Sequence, residues 1–169
     1  LCRRDAAVAG DELWVTGSLG ESLASGVHLS FTPRLAEGHW LAANAYTHCL
    51  MDLSDGLLVD LPRLCAASGL AASLDLAAIP RRLHEGHLAS LAAALTDGED
   101  YELLITVPPN RAAEMRRHWP FATPLHRVGS LHAPAPTRPL ICDAADGGDL
   151  LARFPGTFRH FNASPETHP

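Results

Sequence analysis

Between Glu12 and Cys142 short apolar segments alternate with longer alanine- and leucine-rich ones, and Gly, Pro or acidic residues stand at most junctions. This alternation constrains the fold more than any other feature, because strand-length and helix-length segments in turn build layers around a sheet. Residues 12–16 read as a strand stopped by Gly17, with Gly20 where a helix can begin. Residues 34–46 read as a helix entered through Pro33, and 48–53 as a buried strand ending at Asp52. Residues 60–69 carry the punctuation of a helix: Asp60 as its cap, Pro62 in the tolerant first turn and Gly69 as the left-handed stop. Strands are expected over 70–76 and 101–107, and helices over 88–95 and from an Asn110 cap to about Trp119. Two strands then follow in succession, near 125–131 and 138–142. Consecutive strands late in an otherwise alternating chain predict an α+β domain with a mixed sheet.

A chain of 169 residues holds one well-buried core and hardly two, and no repeat or low-complexity linker divides it. Although 47% of the residues are hydrophobic, no apolar run has the length of a membrane span, and the N-terminus does not read as a secretory signal. A single soluble globular domain is expected. Cys2, Cys49, Cys65 and Cys142 share no CxxC spacing, which argues against zinc ribbons and redox motifs and fits a reducing, cytoplasmic setting. His84 and His87 come closest to a metal pair, but the Gly86 between them and the lack of a third ligand make a solvated loop the better reading.

All 13 basic residues are arginine. Without lysine the chain cannot carry a Walker A loop, the phosphate-pairing site of a protein kinase or a Schiff base. The formal net charge of -6 argues against nucleic acid as a partner.

Two acidic runs stand where apolar segments meet turns: Asp52-Leu53-Ser54-Asp55-Gly56-Leu57 and Gly98-Glu99-Asp100-Tyr101-Glu102-Leu103. In the first, Asp52 and Ser54 lie two apart on one side of an extended segment, and Asp55 follows at the turn. Two carboxylates and a hydroxyl suit a magnesium ion and its phosphates, since magnesium takes one or two carboxylates plus substrate oxygens. A strand-to-helix turn capped by Ser54 or Asp55 explains the same residues. A calcium EF-hand is excluded, because its glycine and glutamate positions hold Leu57 and Arg63. The second run can be a solvated strand entry with Tyr101 and Leu103 in the core; Glu99, directly after a glycine, is its candidate ligand-binding acid.

Taken together, the segments 51–64 and 94–104 resemble thiamine-monophosphate kinases. Gly10-Asp11-Glu12-Leu13-Trp14-Val15-Thr16-Gly17, Pro33-Arg34-Leu35 and Gly156-Thr157-Phe158-Arg159-His160-Phe161 match in the same order. The resemblance implies a three-layer α-β-α fold like the C-terminal domain of aminoimidazole ribonucleotide synthetase, over residues 1–162, with a frayed tail at 163–169. It implies an ATP-dependent phosphotransferase that converts thiamine monophosphate to thiamine diphosphate with magnesium. By motif, Asp52 and Asp55 would be magnesium ligands, Ser54 would touch ATP, Glu99 would contact thiamine monophosphate and Phe158 would line its pocket. Asp97 stands where the family usually has glycine and adds a negative charge beside Glu99. The family's N-terminal domain supplies most magnesium ligands and the dimer interface, and Leu1 falls where its second domain begins. This chain alone is therefore expected to be inactive. Selenophosphate synthetase and a hydrogenase maturation protein are related alternatives, and a non-catalytic nucleotide- or partner-binding domain is the alternative of another class.

Overall fold

The computed structural model describes residues 2–156. In chain order the elements are β1 (Glu12–Thr16), α1 (Ser22–Ser25), α2 (Leu35–Ala43), β2 (Cys49–Leu53), α3 (Leu57–Ser68), β3 (Ala71–Leu74), β4 (Leu83–His84), β5 (His87–Leu88), α4 (Leu91–Thr96), β6 (Glu102–Val107), α5 (Pro109–His118), β7 (Leu125–His132), β8 (Ile141–Asp143) and α6 (Leu150–Arg153). Six strands form one mixed sheet in the order β2-β6-β1-β7-β3-β8, in which β3 and β8 run parallel and the other neighbours antiparallel.

Alternation along β1 and β6 produces the layers. Leu13, Val15 and Leu104 point into a cluster with Leu57, Leu61 and Leu64 of α3, Leu95 of α4 and Leu150 of α6. Trp14, Leu103, Ile105 and Val107 point to the other face, against Leu41 of α2 and Ala112 and Met115 of α5. Helices on both faces of one mixed sheet give the expected three-layer α+β architecture. Among the described residues no helix is long and apolar enough to cross a membrane.

Several element boundaries depart from the sequence reading. Helix α3 begins a turn early, at Leu57, so Asp60 lies inside its first turn and Gly56 takes the cap position. Pro62 is then in the helix interior, beyond the tolerant first turn, while Gly69 ends the helix at φ 66 as expected. Helix α5 starts at Pro109, whose missing N–H costs nothing at that position, so Asn110 is not its cap. Residues 84–87 fold as the tight hairpin between β4 and β5, with Glu85 and Gly86 at φ 49 and 79, and remain exposed. Asp149 caps α6 by accepting from the Leu151 and Ala152 amides, a helix absent from the sequence reading. The expected tail at 163–169 lies outside the described residues.

Candidate functional site

The two acidic runs meet at one end of the sheet. Antiparallel pairing sets Asp52 opposite Leu103 and Leu53 opposite Glu102, so the end of β2 and the start of β6 are neighbours. Beyond the ladder the contact continues: the Glu99 amide donates to the Ser54 carbonyl at 2.8 Å, and the Tyr101 amide to that of Leu53 at 2.9 Å. Gly56 completes it. At φ 105 a Cβ there would stand 2.8 Å from the Asp97 carbonyl oxygen and 2.9 Å from that of Thr96. Only a residue without a side chain lets the two turns pack backbone to backbone.

Each turn is held by a buried carboxylate that is not itself presented to solvent. In the first, Asp60 accepts from the Ser54 and Asp55 amides at 3.1 and 2.9 Å. Its side chain is 1% exposed and pairs with Arg63, which also reaches Asp55. Burial raises the Asp60 pKa, and the amide of Asp55 opposes that rise. In the second, Asp100 accepts from the Gly20 amide with both oxygens, at 3.1 and 3.0 Å, and pairs with Arg82 at 2.8 Å. Burial pushes its carboxyl up to about 6 against those donors.

Glu102 is a further buried acid at this end of the sheet. It accepts from the Thr16 hydroxyl at 2.7 Å and takes a two-pronged bond from Arg34 at 2.8 and 2.8 Å. The start of β6 is thereby tied to the end of β1 and the entry of α2. Losing Arg34 would leave the Glu102 charge buried without its guanidinium.

Between these anchors the chain is strained. Glu99 and Tyr101 sit at φ 68 and 51, left-handed positions that cost non-glycine residues roughly 1–3 kcal/mol each. The Ser22 hydroxyl donates to the Glu99 carbonyl at 2.7 Å, and the Tyr101 hydroxyl donates to Glu99 Oε2 at 2.6 Å. That bond to a carboxylate is the main reason the Tyr101 phenol is pushed up to about 12; burial and the charges of Glu99, Asp52 and Asp55 add to it. Phe31 stacks on Tyr101 with centroids 4.3 Å apart. Asp97 sits in ordinary extended backbone at φ -73, and its carboxylate accepts from the Glu21 amide at 3.0 Å. Asp97 thus takes a backbone conformation open to any residue and ties this loop to the start of α1.

The structure brings Asp52, Ser54, Asp55 and Glu99 to this one end of the sheet; Phe158 lies outside the described residues. Asp52 is exposed on the edge strand β2, and the Asp55 side chain keeps 21% exposure beside Arg63. Among the described residues no group of three or more His, Cys, Asp or Glu could hold a metal ion. Two carboxylates, Asp52 and Asp55, are the number that magnesium usually takes beside phosphate and water oxygens. Sequence reading missed Asp60, Asp100, Tyr101 and the Arg34–Glu102 pair as organisers. The partners of Asp100 (Gly20 and Arg82) and the Arg34 partner of Glu102 come from distant segments, so no local pattern marked them.

A cavity of about 460 Å³ lies elsewhere, lined by Trp14, Ile79, Pro80, Arg116, Leu125 and Arg127 among others. It shares no lining residue with the acidic turns and has no carboxylate among its lining residues.

Residues 8–119 match the family described as AIR synthase related protein, C-terminal domain. The chain belongs to this family. It is 37% identical over 135 residues to the thiamine-monophosphate kinase of Rhodopirellula baltica, covering 76% of this chain and 42% of that kinase. Its fold superposes on the crystal structure of the thiamine-monophosphate kinase of Stenotrophomonas maltophilia K279a with a TM-score of 0.71 at 26% identity, over 87% of this chain and 54% of that one. A structure of AaThiL complexed with AMPPCP and TMP gives a TM-score of 0.69 at 25% identity, over 95% of this chain and 54% of that one. The chain thus spans about half the length of these relatives of the AIR synthase-related family.

Proposed function

We propose that this chain is the C-terminal part of a thiamine-monophosphate kinase, which transfers the γ-phosphoryl group of ATP to thiamine monophosphate and yields thiamine diphosphate and ADP. The observation that carries this reading is the backbone union of the two acidic turns, in a chain whose curated relatives are kinases of that name. Phosphoryl transfer is mostly positioning and charge neutralisation, so carboxylates that hold magnesium can stand in for the lysine this chain lacks. In this reading Asp52 and Asp55 hold magnesium, Ser54 touches ATP, Glu99 meets the thiazolium charge and Phe158 lines the same pocket. Magnesium, when bound, neutralises phosphate charge. The N-terminal half of the enzyme supplies the remaining ligands and a homodimer contact, in the cytoplasm, and this chain by itself turns over no substrate.

The test is product formation by the full-length protein that carries this chain, given ATP, magnesium and thiamine monophosphate. Thiamine diphosphate should appear only with both substrates, and the isolated chain should make none. A full-length protein that binds nucleotide yet yields no thiamine diphosphate would instead be the non-catalytic binding domain.

A further inference from the structure

Among the described residues the Phe31–Tyr101 pair stands apart from the hydrophobic core. Neither ring belongs to the two hydrophobic clusters, and Phe31 keeps 36% of its surface exposed although its ring plane lies within 19° of that of Tyr101. Rings used for stability are normally buried deeper than this. The segment that delivers Phe31 is anchored on the acidic loop itself: Ser22 donates to the Glu99 carbonyl, and His28 Nδ1 lies 3.1 Å from the Ser22 carbonyl oxygen. Phe31 therefore belongs, through α1, to the same unit as Glu99.

We infer that Tyr101 and Phe31 form an aromatic wall of the substrate pocket, with Tyr101 orienting the Glu99 carboxylate toward a cationic heteroaromatic ring. This rests on the reading of the site as the thiamine monophosphate pocket. Three features converge. The left-handed conformations of Glu99 and Tyr101 fold the phenol back onto the carboxylate two residues earlier, and such strain gathers at ligand-binding positions. A phenol held protonated well above neutral pH donates to that carboxylate throughout the working range. A partly exposed aromatic face beside a fixed negative charge attracts a flat cation by two additive means, charge and ring quadrupole. Tyr101 acts here as a positioning residue, and Phe31 as the adaptable edge of the pocket.

The test is calorimetric binding of thiamine monophosphate, and separately of ATP, to the full-length protein with each of two substitutions. Tyr101→Phe keeps the stack and removes the hydroxyl; Phe31→Leu keeps apolar cover and removes the ring. Each should weaken thiamine monophosphate binding by about three- to tenfold, with ATP affinity that of the wild type. Phe31→Leu lies outside both cores, so it decides the matter if Tyr101→Phe fails to fold. Wild-type affinity for thiamine monophosphate in a folded variant, or parallel loss of both ligands, overturns the inference and leaves the kinase reading standing. A wild-type protein that binds ATP and not thiamine monophosphate overturns both.

Discussion

Asp100 illustrates how single residues at this site are set by competing effects. Burial favours its neutral form, while the Gly20 amide and the Arg82 guanidinium favour the carboxylate. Burial prevails, and its pKa rises from the ordinary 3.8 to about 6. The folded state then binds this proton more tightly than the unfolded chain. The contribution of the group to stability is therefore full below pH 3.8 and is lost as pH rises through about 6. The difference in melting temperature between wild type and Asp100→Asn should change across that window and be flat above it. A carboxyl resonance of Asp100 that titrates below pH 4 would contradict the assignment.

At the scale of elements, the decisive contact is between the turn before α3 and the one before β6. Gly56→Ala would drive a Cβ into the Thr96 and Asp97 carbonyls while holding φ at 105. It should cost roughly 1–3 kcal/mol in denaturant unfolding, through strain and displaced backbone. An unchanged unfolding midpoint would mean the turns are not packed as described.

The same elements mark what a sequence can reveal. Strands β1, β2 and β6 were legible because short apolar runs end at glycine, an acidic turn or proline. The start of α3 was not. Asp60 has the chemistry of a cap and does bind amides, but those of Ser54 and Asp55, before a helix that has already begun. Residues 52–57 and 98–103 were legible separately as acidic turns; that Leu53 pairs with Glu102 was not, because the pairing depends on sheet order rather than local pattern. The Arg34–Glu102 bond, 68 residues apart in sequence, was hidden for the same reason.

For the whole molecule, the sheet order explains where ligands can reach. Among the described residues strand β2 lies at the sheet edge with β6 as its neighbour, so the acidic end opens to one side of the sheet. Core packing occupies both sheet faces with apolar side chains, which leaves Asp52 exposed and outside either cluster. An exposed carboxylate on an edge strand contributes little to folding, so replacing Asp52 tests a binding role at little cost in stability. This separates a site residue from a structural one. The most direct measurement is thiamine diphosphate formation by full-length Asp52→Ala, read beside its melting temperature. The account predicts turnover reduced by about 10²-fold or more, the scale of a lost electrostatic contact in transfer, at an unchanged melting temperature. Near wild-type turnover with a lowered melting temperature would contradict it and return Asp52 to a purely structural role.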